Sequence, residues 1–250
     1  MTNLTTIIIS KEDHDVISNA ILSAKDLGDV LVVDANNDDI TSGLCKKLGA
    51  KVMKHPFKDF SDQRNFGILN ADTKWVLYLD SDEKLTPSFK KEVSDIIASH
   101  DESDPISAYF VKRKTFFYGK DWHFEDRMQR LFLRKMFVEW RGVVHETPQI
   151  KGEWGQINSP IEHYTHRNIS QMVAKTNEWS EYEAHLRLNA KHPHLAPWRF
   201  ARVMFTAFID SYVKSKGYKN GTYGVIEAIY QAFSMFITYA KLWELQQKKN

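Results

Sequence analysis

The stretch "WVLYLDSDEKL", residues 75–85, decides how this chain is read. Trp75 to Leu79 form the bulky apolar run of a strand buried on both faces. The next four positions then hold three acids, Asp80, Asp82 and Glu83. Carboxylates grouped this closely repel one another, and a cation held between them relieves the repulsion. A solvated turn leading into a helix near Pro87 is the plainer account, because Asp and Ser are good turn and cap residues. The eleven residues do not separate the two accounts; their neighbours do.

Working outward, the first hundred residues alternate strand and helix. "LTTIIIS" (4–10), "DVLVVD" (29–34), "KVMKH" (51–55) and "KWVLYLD" (74–80) read as strands. Between and after them, 13–28, 39–50, 61–71 and 86–100 read as helices, with Ser61 capping the third and Pro87 in the first turn of the fourth. Such alternation predicts an α/β chain with a doubly wound, mostly parallel sheet. Ligands bind these sheets beyond the carboxyl ends of the strands, and two of those ends carry Asp34 and Asp80. No glycine-rich loop follows a strand, which excludes a dinucleotide fingerprint and a P-loop. A phosphate here needs other neutralisation, and a divalent metal held by Asp80 and Asp82 supplies it.

The middle section changes character. "AYFVKRKTFFYG" (108–119) and "MQRLFLRK" (128–135) read as strands, with "KDWHFED" between them as a loop lining a site. From residue 170 onward the period is helical, ending in "YGVIEAIYQAFSMFITYAKLWELQQ". That segment is long enough to span a bilayer, but Glu227, Gln231 and Lys241 interrupt it, which points to an amphipathic helix touching a membrane surface or covering the sheet.

Composition sets the outer bounds. At 250 residues with net charge +2, the chain can bury one substantial core plus a helical appendage. The single Cys45 excludes an internal disulfide framework and fits a reducing cytoplasm. "MTNLTTIIIS" has no basic region followed by a long apolar run, so no secretory signal is expected. Residues 197–250 hold eight Lys/Arg against three acids and are rich in aromatics, a pairing that suits a nucleic acid or an anionic membrane.

The succession "TTIIISK", "VLVVDANNDD", "GAKVMKHPFKDFSDQRNFGI", "WVLYLDSDEKL", "QRLFLRK", "GVVHE", "HYTHRN" and "YAKLWE" resembles family 2 glycosyltransferases. It is most similar to the bacterial branch that adds a β-linked glucose or similar sugar to the lipopolysaccharide inner core. The resemblance implies a GT-A catalytic domain over 1–168, with a nucleotide-sugar half to about residue 100 and an acceptor half beyond it. Residues 169–250 are then a helical extension. It further implies a nucleotide-sugar donor such as a UDP-sugar, a manganese or magnesium ion, inversion at the anomeric carbon, and a lipid-linked saccharide acceptor. The enzyme would be cytoplasmic and peripheral on the inner face of the membrane, with no nucleic-acid partner.

Carried over residue by residue, Asp34 and Asp39 fall at the base and ribose. Asp13 stands in a Glu12–Asp13 pair where the family usually reads Asn-Glu, at the same pocket. Arg64 and Asn65 match the donor-site Arg-Asn pair. Asp82 matches the direct metal ligand, Asp80 the acid shared between ribose and metal, and His163 a third metal or diphosphate contact. Glu146 falls at the acidic motif bearing the base, with Asp126 and Glu125 of "FED" as rivals and Arg130 or Arg64 as phosphate clamp. For Glu146 the alternative is a turn acid before Pro148. His145, His163 and His166 fit no compact zinc spacing. Trp122, Trp140 and Trp154 are either sugar-stacking platforms or core residues. A nucleotidyltransferase, or a non-catalytic nucleic-acid-binding module using the tail, are the competing functions.

Overall fold

The computed structural model describes residues 3–11, 16–36, 39–142 and 146–248. The chain forms two compact units, Met1–Lys114 with Glu125–His163, and Thr115–Phe124 with Tyr164–Asn250.

The first unit begins with β1 (Leu4–Ser10), α1 (Ile17–Ala24), β2 (Asp29–Asp34), α2 (Ile40–Lys47), β3 (Lys51–Lys54), α3 (Phe60–Leu69) and β4 (Trp75–Asp80). A short β5 (Glu83–Leu85), then α4 (Pro87–Ser99), β6 (Ile106–Phe117), β7 (Lys120–Leu133), β8 (Phe137–Arg141), β9 (Thr147–Ile150) and β10 (Glu153–Thr165) follow. The eight-stranded sheet runs β3-β2-β1-β4-β7-β6-β10-β5, with β8 and β9 as a separate pair. Strands β3, β2, β1 and β4 are mutually parallel, and β7 joins β4 antiparallel. The sheet is thus mixed α/β, flanked by helices and followed by a C-terminal helix, as expected of a GT-A chain.

β1, β2 and β4 are buried along nearly their whole length, and successive side chains join cores on opposite faces of the sheet. Leu4, Ile8, Val30, Val32, Trp75 and Leu77 pack with Ile17, Ile21, Phe89 and Val93 of α1 and α4. Ile7, Leu31, Val33, Val76 and Tyr78 pack on the other face with Ile68, Ala71 and Trp140. Gly67 lets α3 approach β1 on that face, because a Cβ there would lie 2.7 Å from Ile7 Cγ2.

Some local expectations need correcting. The cap of α3 is Asp59, which accepts from the Asp62 N–H, and not Ser61; α3 therefore begins at Phe60. "KDWHFED" is no loop: it is the start of β7. The β6–β7 turn is only Tyr118–Gly119, whose φ values of 51° and 71° are both positive, as a type I′ hairpin turn requires.

In the second unit, α5 (Ile169–Asn189), α6 (Pro197–Ile209) and α7 (Thr222–Gln247) pack together. A π-helical turn at Asp210–Lys214 and a 3₁₀ turn at Gly217–Asn220 join α6 to α7. Gly224 lies so close to the Gly217 carbonyl that a Cβ would meet it at 1.8 Å, so this junction demands glycine. Among the described residues no helix is long and apolar enough to cross a membrane.

Candidate active site

Register brings the two strand-end acids to one edge. Ser10 of β1 pairs with Asp34 of β2, and Ile9 of β1 pairs with Asp80 of β4. From β1 the chain adds β2 and β3 on one side and β4 on the other, so the strand order reverses here. The crevice beyond the carboxyl ends at such a reversal is where doubly wound sheets bind ligands.

Asp80 is the centre of an ion-pair chain. Arg130 of β7 clasps it with both terminal nitrogens, at 3.2 Å to Oδ1 and 2.5 Å to Oδ2, and Arg64 of α3 donates to Oδ1 at 3.0 Å. Arg64 turns its Nε to Glu146 Oε1 at 3.1 Å. Arg130 reaches on to Glu83 Oε1 at 2.9 Å, while Glu83 Oε2 accepts from the Asp80 N–H at 2.9 Å. Arg113 of β6 lies 3.5 Å from Glu83 Oε1 and grips both oxygens of Asp126, at 2.9 and 2.5 Å. Four carboxylates and three guanidinium groups therefore alternate from Glu146 to Asp126. The two rival bases sit at opposite ends of the chain, each held by an arginine.

The charges divide unevenly. Burial pushes the Asp80 carboxyl up, but Arg130 and Arg64 outweigh it and hold the group well below the usual carboxylate range. Burial raises the Glu83 carboxyl above its ordinary value; Arg130 opposes this and Asp80 reinforces it. Arg130, with only 1 % of its side chain exposed, is held more firmly protonated by those two acids despite burial. Arg64 is fixed by its surroundings: its guanidinium lies over the Trp140 and Tyr78 rings at 5.0 and 5.4 Å, and the Tyr78 hydroxyl donates to its carbonyl at 2.8 Å.

Asp82 sits beside this chain with His163 Nε2 3.3 Å from its Oδ2. The β5–β10 pairing, which sets His163 opposite Glu83, delivers the imidazole there. Among the described residues no three His, Cys, Asp or Glu side chains form a metal-holding group. One carboxylate and one imidazole do not make a closed cage. They do suit an ion that takes few protein ligands and completes its shell with substrate phosphates.

Asp34 is buried and its carboxylate is filled locally. Oδ1 accepts from the Asn36 N–H at 3.0 Å and from its side-chain amide at 2.7 Å, and Oδ2 accepts from the Ser42 hydroxyl at 2.6 Å. Lys54 lies 3.4 Å from Asp34 and 3.3 Å from the exposed Asp39. Asn65 donates to the Trp140 carbonyl at 3.0 Å and accepts from its N–H at 2.8 Å, so it ties α3 to β8. Trp140 and Trp122 are buried, the core fate; Trp154 is partly buried between Phe110 and Phe132. Glu125 is exposed. Asp13 and His145 lie outside the described residues.

The geometry adds Glu83 and Arg113, neither of which sequence reading had given a site role. Glu83 was visible only as the last acid of the group, and Arg113 as one cation in the basic strand "VKRK".

Residues 5–172 match the sequence profile of glycosyl transferase family 2. The chain belongs to that family. An uncharacterized glycosyltransferase of Rickettsia typhi is 29% identical over 268 residues, covering 99% of this chain and 89% of that one. The lipopolysaccharide core biosynthesis glycosyltransferase LpsC of Rhizobium meliloti is 23% identical, covering 96% and 92%. Among solved structures, glucosyl-3-phosphoglycerate synthase of Mycobacterium tuberculosis, crystallised with Mn2+, UDP and glucosyl-3-phosphoglycerate, is similar at 18% identity. That likeness has a TM-score of 0.36 and covers 46% of this chain and 43% of the synthase. Family membership sets aside the nucleotidyltransferase and the nucleic-acid-binding module.

Proposed function

We propose that this family 2 enzyme moves a hexose, glucose in the first instance, from a UDP-sugar to a lipopolysaccharide-core or other lipid-linked glycan, with inversion. The observation that carries the reading is the Arg64 bridge, which couples Asp80 at the strand-end crevice to Glu146. The likeness to a core biosynthesis enzyme supports the acceptor class.

In this reading Glu146 accepts the proton of the acceptor hydroxyl as that oxygen attacks the sugar carbon, and Arg64 holds the carboxylate in place through Oε1. Asp82 and His163 would hold the manganese or magnesium ion, which when bound neutralises charge on the diphosphate. Arg64 and Arg130, already at the crevice, add positive charge where the leaving group develops its own. Asp80 orients both arginines and in this reading would also meet the donor ribose. Asp34 and Asp39 shape the loop facing the nucleotide.

The deciding experiment compares Glu146→Gln with Asp126→Asn. Glu146→Gln is expected to keep the thermal stabilisation by UDP and metal while lowering turnover by about 10²–10⁴-fold, the usual weight of a general base. Asp126→Asn is expected to be mild. The reverse pattern moves the base to Asp126, and absence of any UDP-dependent stabilisation removes the donor assignment. The anomeric configuration of the product, read by NMR, decides inversion.

A further inference from the structure

Helix α7 is amphipathic in the wrong direction for a helix whose outer face meets water. Several of its polar residues point inward, while Glu244 and Gln247 near its end are exposed. Glu227, 1 % exposed, is held by His166 Nδ1 at 3.0 Å and by the Gln231 amide at 2.7 Å. Buried Gln246 donates to the carbonyls of His192 and Pro193 and accepts from the Leu195 N–H. Buried Thr238 donates to the Ser234 carbonyl. Its apolar residues point outward: Ile226, Ile229, Phe233, Phe236 and Trp243 are all exposed, Ile229 to 57 %. Their spacing of three, four, three and seven residues places them on one helical face. The stripe is about 26 Å long at 1.5 Å per residue, and the exposed Glu244 bounds it at its C-terminal end.

Basic and aromatic groups accompany the stripe. Phe200 of α6 contacts Phe236, with ring centroids 6.1 Å apart, which brings α6 alongside. Exposed Trp198 of α6 carries the guanidinium groups of Arg199 and Arg202 over its ring at 5.3 and 5.5 Å. The connection to α7 adds exposed Lys214, Lys216 and Lys219. Residues 197–220 thus hold five Lys/Arg against the single acid Asp210.

We propose that this face of the second unit, the α7 stripe with the basic flank of α6 and its connection, docks in the plane of an anionic phospholipid bilayer. Exposed apolar length enters the boundary between headgroups and acyl chains, Trp suits that boundary, and Lys and Arg meet the anionic headgroups. The inward, hydrogen-bonded Glu227 and Gln246 keep α7 lying on the bilayer and not across it. A second copy would use the apolar stripe, but would bring like charge against the predominantly basic flank. The proposal deepens the reading of a lipid-linked acceptor and rests on it for the choice of a bilayer.

The test is co-sedimentation of the full chain with phosphatidylcholine vesicles, with and without 30 mol% phosphatidylglycerol. Anionic vesicles are expected to bind at least tenfold more tightly, with most of that gain lost in high salt. Ile229→Asp combined with Phe233→Asp, at exposed positions, is expected to lower binding at least tenfold. Lys216→Glu combined with Lys219→Glu is expected to remove the anionic preference alone. Unchanged melting temperatures show that both variants fold. As a second readout, brominated lipid is expected to quench wild-type tryptophan fluorescence more than that of Trp243→Phe. No vesicle binding, binding indifferent to the Asp substitutions, or a dimer that those substitutions dissolve without any lipid binding would each overturn the proposal. Stabilisation by UDP and metal is read on the same proteins, so that a failure at the membrane is distinguishable from a failure of the donor assignment.

Discussion

Asp34 and Asp80 end neighbouring strands on either side of β1, yet they are satisfied by opposite means. Asp34 takes its hydrogen bonds from neutral donors no more than eight positions away, Asn36 and Ser42, with Lys54 in support. Asp80 is held by two guanidinium groups, 16 and 50 positions distant, and each is shared with a further acid. The first arrangement shapes a loop. The second gathers alternating charges at the strand-end crevice. Equal position on a sheet therefore does not mean equal chemistry; the two carboxylates differ in the charge and the sequence range of their partners.

The contrast predicts a graded set of effects. Arg130→Met leaves Asp80 and Glu83 without their shared cation; removing one partner of a buried pair costs about 3–5 kcal/mol, with the partly exposed Asp80 favouring about 3. Urea unfolding measures it, and a loss below about 1 kcal/mol would mean that Arg130 is no hub.

Acid titration sharpens the same point. An aspartate titrates near pH 3.9 in an unfolded chain, while folded Asp80 stays ionised well below that. Its ion pairs contribute fully above about pH 5 and are lost as the pH falls through its folded value. The stability difference between wild type and Asp80→Asn should therefore shrink on acidification from about pH 5. A difference that stays constant would show that Asp80 is not ionised in the pair.

Asp34→Asn comes next, at about 1–2 kcal/mol, because a charge-assisted bond from Ser42 is weakened while the Asn36 contacts can persist. A loss as large as that of Arg130→Met would abolish the distinction. Lys54→Met is the smallest: its amine is largely solvated, and surface pairs contribute little. Its unfolding midpoint should match that of wild type in parallel melts.

Legibility in the sequence followed range as well. The parallel strands and their helices were readable because apolar runs and caps are local signals, and Asp34 and Asp80 could be placed at strand ends for the same reason. Asp80 and Glu146 were named from the family pattern, but the arginine that joins them is a contact across 82 positions, which no local pattern reports. Arg113 was hidden because a cation within a strand looks like a solvated face until its neighbours are known. "KDWHFED" misled because its period of two rests on only two apolar residues, Trp122 and Phe124, and because Tyr is an uncommon residue at positive φ. The inward Glu227 could be noticed only as an interruption of an apolar helix; its partner His166 lies 61 positions earlier.

The Asn65 clamp on Trp140 has a consequence for how the chain folds. The clamp closes a loop of 75 positions, against eight for the Ser42–Asp34 contact. Closure entropy grows with the logarithm of loop length, so the longer loop costs roughly 2 kcal/mol more to shut. The turn around Asp34 can form while the rest of the chain is still disordered. The clamp, and with it the neighbourhood of Glu146, must wait until β8 has been made and brought back to α3. During synthesis, Asp80 leaves the ribosome after Arg64 but 50 residues before Arg130, so the full charged crevice is among the last parts of its unit to assemble.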